Sequence, residues 1–131
     1  MLPTVIEDVA FALHQQDLAS RERTALALAM LRDLGCDDLA PRSVHHLSHG
    51  QKQLVALAGA LVTSPALLLL DEPSSGLAPP GRKRLTAILR GRRQAMLIAT
   101  HDLEFAEQVC SRFVMLEGGR LLEEVSSLAD V

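Results

Sequence analysis

An unbroken apolar run stands in the middle of the chain and ends in charged residues. Residues 66–70 have the sequence ALLLL and lead into Asp71, Glu72 and Pro73. A short run of this kind is typical of a strand that is buried on both faces of a parallel sheet. Proline ends such a strand because it has no N–H group to donate. The two carboxylates are therefore expected at the carboxyl end of the strand, where open α/β sheets bind their ligands.

A second apolar run occupies residues 95–99 and leads into Thr100, His101 and Asp102. We expect it to form a second buried strand, so that a histidine follows this strand as two acids follow the first. A histidine in a loop usually has no chemical role, but one just past the carboxyl end of a buried strand is a stronger candidate. His101 and Glu72 are therefore predicted to face one ligand.

Apolar residues at helical spacing predict helices before and between these strands. The first helix begins at a capping box, TVIE at residues 4–7. The second is expected to be capped by Ser20 and stopped by Gly35. A third helix follows residues 47–53 and is closed by the Ser-Pro pair at residues 64–65.

The rest of the chain is predicted to contain a loop, two further helices and a hairpin. Residues 74–81 have the sequence SSGLAPPG and are expected to form the loop, which leads into a fourth helix. Asp102 is expected to cap a short fifth helix. Residues 112–116 are predicted to form a third strand, and residues 117–120 a hairpin turn into a fourth. Together these elements indicate an α/β domain.

Ser48 and Gly50 stand at the start of the third predicted helix. A hydroxyl group, a backbone without a side chain and unpaired helical N–H groups together form a site that favours phosphate oxygens. An ordinary serine cap also explains this pattern. The predicted strand that follows ends in Asp71 and Glu72, and this favours the anion site over an ordinary serine cap.

Composition and charge narrow the classes of function. The chain has 131 residues, of which 48% are apolar and 22% charged, and this indicates one globular domain. It has no apolar run of the roughly 18 residues that a membrane span needs, and no secretory segment at its start, so a cytoplasmic protein is expected. The net charge of −3 argues against a nucleic-acid partner. The basic residues between positions 82 and 93 are expected to form a solvated helix face.

Four motifs occur in an order and at separations that resemble the nucleotide-binding domain of ATP-binding cassette (ABC) proteins. They are LSHGQ at 47–51, LLLLDEP at 67–73, SGL at 75–77 and THD at 100–102. The segment at residues 3–11 is also similar to the one that opens the helical subdomain in the energy-coupling-factor and cobalt-uptake branch. This second similarity favours transport over the repair and translation members of the family.

The resemblance implies a partial P-loop NTPase (ABC ATPase) fold, with a mostly parallel sheet flanked by helices and an N-terminal helical subdomain. Residues from about 1 to 64 would form the helical and signature region, and residues from about 65 to 131 the remaining core. The implied cofactors are ATP and Mg²⁺. The implied partners are a second ABC ATPase subunit, in a homodimer or heterodimer, and a transmembrane transporter subunit. The protein would then lie peripherally at the inner face of the cell membrane.

The site residues of the family map onto two groups in this chain. Asp71 would act on Mg²⁺ through water, Glu72 would polarise the attacking water, and His101 would contact the γ-phosphate and orient the site. The second group would belong to the signature motif and reach the γ-phosphate bound on the opposite subunit; it consists of Ser48, Gly50 and Gln51.

Departures from the family pattern limit the activity that is expected of this chain. No Gly-x-x-x-x-Gly-Lys-Ser/Thr sequence occurs, so the phosphate-cradling loop with its lysine is missing, as are the glutamine loop and the base-stacking aromatic. Ala78 stands where the family usually has the aspartate of its D-loop. The chain resembles the C-terminal part of a cassette domain and is expected to be inactive alone. It is a truncated importer ATPase, a non-enzymatic module that completes a partner's nucleotide site, or an inactive remnant.

In the family fold, the strand that carries the missing loop lies between the strands predicted here at residues 95–99 and 112–116. Without that strand, two strand edges are expected to be open. Unpaired backbone groups and uncovered apolar faces should make the isolated chain marginally stable or prone to association.

Overall fold

The first half of the chain folds into three helices that pack against one another. The structure is a computed structural model and describes residues 3–130. The first helix begins where predicted, and the Thr4 side chain accepts a hydrogen bond from the N–H group of Glu7, which is one of the two bonds of a capping box. The second is stopped as predicted before Gly35, which follows the C-cap residue Leu34 and has φ +71°. The three helices are α1 (Val5–Phe11), α2 (Ser20–Asp33) and α3 (His49–Val62).

The second half contains a parallel strand pair with a helical crossover. Strand β1 (Leu67–Asp71) pairs with β2 (Ala95–Ala99), and helix α4 (Pro79–Arg90) connects them. Helix α5 (Leu103–Val109) follows β2. In the register of this pair, Asp71 lies opposite Ala99. Because parallel strands end at the same edge of the sheet, the residues that follow β1 lie beside those that follow β2.

An antiparallel hairpin forms a separate two-stranded sheet. Strand β3 (Phe113–Glu117) and strand β4 (Arg120–Val125) are joined by two glycines with positive φ angles. Within residues 3–130 the hairpin does not pair with β1 or β2, whose outer edges therefore carry no partner strand. Three short 3-10 helices complete the described elements: Asp37–Leu39, Val44–His46 and Leu128–Asp130.

One hydrophobic core joins the helices to one face of the parallel pair. Leu68 and Leu70 of β1 belong to the same buried cluster as residues from each of the five α-helices. The α/β class predicted from the sequence is thus confirmed. No helix in the described part of the chain is both long and apolar enough to cross a membrane. The largest wholly buried side chains of the cluster are Val5, Val9, Leu13, Leu31, Leu34, Leu61, Leu85, Leu89 and Phe105.

The prediction that both central strands are buried on both faces is wrong. Leu67 and Leu69 of β1 are 52% and 64% exposed, and Leu97 of β2 is 67% exposed. Successive side chains of a strand point to opposite faces of the sheet. The helices of this chain cover one face, and within the described residues no element covers the other.

Three predicted boundaries also need correction. Ser20 is not the cap of α2 but its first residue, and the N-cap is Ala19 without a capping side chain. The loop predicted over residues 74–81 ends at Ala78, because prolines are tolerated in the first turn of a helix, where their missing N–H group costs no hydrogen bond. Strand β3 begins at Phe113, one residue later than predicted.

The basic stretch of α4 is not simply a solvated face. Arg92, just beyond the helix, donates a hydrogen bond from Nη2 to the carbonyl oxygen of Leu61 at 2.9 Å. The guanidinium group of Arg84 lies over Gly35 and fills the space that a Cβ atom at this position would occupy. These arginines therefore tie α4 and the following turn to the ends of α3 and α2.

Replacing Ala78 by aspartate tests the N-cap of α4. Ala78 holds the N-cap position but offers no side-chain acceptor. An aspartate can accept the N–H group of Gly81, since Pro79 and Pro80 have none. We expect Ala78→Asp to raise the free energy of unfolding by about 1 kcal/mol. Urea unfolding measures the change, with Ala78→Val as the control that has no acceptor. Equal stability of the two variants would contradict this assignment.

Candidate functional site

The ends of β1 and β2 bring Glu72 and His101 into direct contact. Glu72 Oε1 accepts the backbone N–H group of His101 at 3.0 Å and lies 2.6 Å from His101 Nδ1. Thr100 Oγ1 donates to Glu72 Oε2 at 3.0 Å. The two oxygens of the carboxylate are thus held by the segment that follows β2.

The backbone of Glu72 has an uncommon conformation. Its φ angle of +47° lies in the left-handed region, which costs a residue other than glycine about 1–3 kcal/mol. The N–H group of Glu72 donates to the carbonyl oxygen of Ala99 at 2.7 Å. This turn aims the carboxylate of Glu72 across the sheet edge at His101.

Hydrogen bonds favour the ionised form of the Glu72 carboxylate. Burial, the largest influence, raises the pKa of Glu72, but the hydrogen bonds from His101 and Thr100 and the charge of His101 act in the other direction and lower it overall. One third of the Glu72 side chain and 90% of the His101 side chain are exposed. A charged acceptor and an imidazole ring are therefore both open to a ligand at this edge.

Asp71 is exposed at the last position of β1, next to Glu72. Within residues 3–130 no group of three His, Cys, Asp or Glu side chains could hold a metal ion. Mg²⁺ is commonly held by one or two carboxylates together with waters and substrate phosphates, not by an all-protein cage. A single exposed carboxylate at Asp71 therefore fits Mg²⁺ that arrives with a phosphate ligand.

Ser48 and Gln51 cap α3 reciprocally. Ser48 Oγ accepts the N–H group of Gln51 at 3.2 Å, and Gln51 Oε1 accepts the N–H group of Ser48 at 2.9 Å. The hydroxyl proton of Ser48 can still be donated. The N–H groups of His49 and Gly50 have no acceptor within the helix because they belong to its first turn. Donors suited to an anion thus remain beside the serine cap.

Gly50 also has a packing role that the sequence did not reveal. A Cβ atom at Gly50 would lie 2.5 Å from the carbonyl oxygen of Gly76. Gly76 itself has φ +74°, and a Cβ atom there would lie 3.0 Å from the His49 ring. The start of α3 therefore packs directly on the loop that follows β1.

Sequence reasoning missed Gln53, Ser74 and Arg82. Gln53 Nε2 donates to the carbonyl oxygens of Glu72 and Pro73 at 3.3 and 3.2 Å. Asp102 accepts Ser74 Oγ at 3.1 Å and Arg82 Nη2 at 2.8 Å. These polar residues stand in two helices and a loop, with no local signal that separates them from solvent-facing ones.

Asp102 joins the two segments that flank the site. It caps α5 as predicted, because its Oδ1 accepts the N–H group of Phe105 at 3.0 Å. This bond is the largest cause of its lowered pKa; partial burial raises the pKa, and the hydrogen bonds from Ser74 and Arg82 lower it further. The Asp102 carboxylate therefore fastens the loop after β1 and helix α4 to the residue that follows His101.

The predicted site residues thus fall into two groups. Glu72 and His101 touch, with Asp71 adjacent in the chain. The second group lies at the start of α3 and is joined to the first through Gln53 and Gly76; it consists of Ser48, Gly50 and Gln51.

Comparisons with known proteins point to one family. Residues 3–75 match the family model described as ABC transporter. A putative ABC transporter ATP-binding protein of Brucella suis biovar 1 is 45% identical over 120 residues, which cover 92% of this chain and 50% of that protein. The cobalt import ATP-binding protein CbiO of Rhodobacter capsulatus is 40% identical over 129 residues, with coverage of 96% and 46%. The chain thus spans about half the length of the curated relatives it matches.

Solved structures have the same fold over most of this chain. The structure of cbiO1 from Clostridium perfringens, described as part of the ABC transporter complex cbiONQ, has a TM-score of 0.76 and 32% identity, covering 96% of this chain and 52% of that chain. The dimeric structure of MJ0796, a bacterial ABC transporter cassette, has a TM-score of 0.86 and 26% identity, with coverage of 95% and 57%. The partial P-loop NTPase fold predicted from the sequence is confirmed.

The stability that Asp102 contributes should depend on pH. Because its folded pKa is below the unfolded value of about 3.9, the contribution is complete above that value and is lost as the pH falls towards the folded pKa. We expect Asp102→Asn to lower the free energy of unfolding at pH 7 by about 1.5–3 kcal/mol. The difference from the unaltered chain should shrink below about pH 4.

Urea unfolding between pH 3 and 7 measures this dependence. The matched control is Glu104→Gln, because Glu104 lies 4.0 Å from Arg82 but is 76% exposed. We expect this control to change stability by no more than about 0.5 kcal/mol. A pH-independent loss in Asp102→Asn would contradict the assigned role of the carboxylate.

Proposed function

Because the chain belongs to the ABC transporter family of ATP-binding proteins, we propose that it supplies part of the ATP-hydrolysing subunit of an ABC-type importer. It would contribute the signature motif, the strand-end acids and the histidine of a nucleotide site. The contact between Glu72 and His101 beside the exposed Asp71 carries this proposal. Residues from about 1 to 64 would form the helical and signature part, and the rest the core.

Glu72 and His101 would have separate roles at the γ-phosphate. The ionised Glu72 carboxylate can accept a hydrogen bond from an attacking water and orient it. His101 is exposed beyond its contact with Glu72, so its Nε2 atom can face a phosphate oxygen. Nδ1 of the same ring faces Glu72, so His101 can donate to Glu72 and to a phosphate oxygen together only when both ring nitrogens carry a proton. Glu72 would thus place the water, and His101 the phosphate.

Asp71 would hold Mg²⁺, which neutralises phosphate charge when it is bound. The start of α3 would serve a different nucleotide, held by a second ABC ATPase subunit. Ser48 can donate its hydroxyl proton there, and Gly50 its N–H group, while Gln51 holds the cap in place. The positive end of the helix dipole adds to the attraction for phosphate.

The importer assignment rests on the relatives. One of them is named as a cobalt import ATP-binding protein, and one solved neighbour as part of the transporter complex cbiONQ. These names support uptake of a small solute through a transmembrane subunit, with this protein peripheral at the inner face of the membrane. The dimeric cassette structure supports pairing with a second ABC subunit, either a copy or a different one.

The hydrogen-bond donors at the start of α3 support a second candidate function. The sequence contains no Gly-x-x-x-x-Gly-Lys-Ser/Thr motif, so this chain has no lysine-bearing loop to cradle ATP phosphates. The chain would then act as a non-enzymatic module that lends Ser48, Gly50 and Gln51 to a nucleotide on a complete cassette partner. An inactive remnant is the third outcome that the test below distinguishes.

Mixing the chain with a complete ABC cassette tests both candidates. The purified chain alone should release no phosphate from ATP, since it lacks the phosphate loop. The mixture should hydrolyse ATP faster than the partner alone, and Ser48→Arg in this chain should remove the increase. Loss of a well-placed donor to the transferring phosphate costs on the order of 10²-fold or more.

The control is Ser20→Arg, which alters another exposed serine at the start of a helix. It should keep the increase. Turnover by the chain alone that Glu72→Gln abolishes would contradict the expected inactivity. No increase with any form of the chain would remove the half-site candidate and leave the remnant.

A further inference from the structure

The turn at Glu72 needs support from outside its own strand. A left-handed residue other than glycine persists only where its surroundings hold it. On one side, the N–H group of Glu72 is bound to Ala99 of β2 at 2.7 Å. On the other, the Glu72 carbonyl oxygen accepts the N–H group of Ser75 at 3.1 Å, and Pro73 is fully buried. Hydrogen bonds to Ala99 of the neighbouring strand and from Ser75 of the following loop therefore fix the backbone of the turn.

A single side chain adds a link from α3. The amide group of Gln53 donates through Nε2 to the carbonyl oxygens of both Glu72 and Pro73. The Gln53 side chain is half-buried, and the Pro73 carbonyl group, unlike that of Glu72, has no backbone donor among the described residues, so loss of the amide would be costly there. Because an amide nitrogen carries two hydrogens, one donor group can hold both carbonyls at once. Gln53 thus bridges two successive peptide units of the turn.

Rotation of these peptide units would move the Glu72 carboxylate. In the observed turn both carboxylate oxygens are occupied, one by Thr100 and one by His101. We propose that Gln53 is a positioning residue that holds the Glu72 carboxylate against His101 through the carbonyl groups of Glu72 and Pro73. The inference deepens the proposed function, since it assigns a residue that aims the water-orienting carboxylate.

The same bridge joins the two groups of site residues. Gln53 lies two positions after Gln51, within the turns of α3 that also carry Ser48 and Gly50. Gly50 packs on Gly76 in the loop that follows the turn. A shift of the start of α3 would therefore reach Glu72 through Gln53. An anion that binds at the start of α3 would act on the orientation of Glu72 by this route.

The test replaces the amide and observes the site in the full chain. Gln53→Met keeps the length of the side chain and removes both donors. The matched control is Gln94→Met, because Gln94 Nε2 donates in the same way to the carbonyl oxygen of Pro65, which precedes β1. Gln53→Asn, which keeps the amide but has a shorter reach, serves as the second variant if Gln53→Met does not fold.

The readout is the backbone amide proton of His101, whose acceptor is Glu72 Oε1. NMR gives its chemical shift and its rate of hydrogen exchange, compared at conditions of equal global stability. We expect Gln53→Met to move this signal and to accelerate the exchange about tenfold. Gln94→Met should leave both unchanged. An unchanged signal in Gln53→Met, or the same change in both variants, would overturn the proposal.

This measurement uses the chain without nucleotide or partner. A failure of the mixed-cassette assay would therefore leave the positioning role of Gln53 intact. Equally, an unaltered His101 amide would reject the positioning role while an increase in the partner's ATP hydrolysis still supported the proposed function.

Discussion

The left-handed turn at Glu72 is the constraint on which the site depends. It lies where β1 ends, and together with the hydrogen bonds from Thr100 and His101 it directs the carboxylate sideways to the end of β2 instead of onward along the strand. The turn would be costly in isolation, but Ala99, Ser75 and Gln53 each bind its backbone. The site is therefore a property of the packing between β2, α3 and the loop after β1, and not of the two acids themselves.

This arrangement explains how one short loop serves several elements. Gly76 of this loop packs against Gly50 at the start of α3. Ser74 donates a hydrogen bond to the carboxylate of Asp102, the residue after His101. Arg82 of α4 binds the same carboxylate. The donors at the start of α3 and the carboxylate at the end of β1 are consequently set by the same few contacts. The proposed phosphoryl transfer would depend on such geometry, because positioning and charge stabilisation supply most of its catalysis.

The sequence correctly predicted the features that depend on contacts between residues close together in the chain. The caps at Thr4, Ser48 and Asp102 follow from side chains that bond to neighbours three residues away. Contacts made across the fold left no local signal, so the sequence did not reveal the roles of Gln53 and Arg82. The sequence was also misleading about the exposed strand residues Leu67, Leu69 and Leu97. Their apolar side chains predict burial, but their exposure depends on which layers cover the sheet.

The conformation of residue 72 can be tested by comparing glycine with alanine at that position. Glu72→Gly and Glu72→Ala both remove the carboxylate, so its loss cancels in their comparison, and the sign of their difference in stability reports whether residue 72 has a positive φ angle. We expect the glycine variant to be more stable by about 1 kcal/mol, because alanine is strained where φ is positive. Urea unfolding of the two variants measures this difference. An alanine variant as stable as the glycine variant, or more stable, would contradict the central role of the turn.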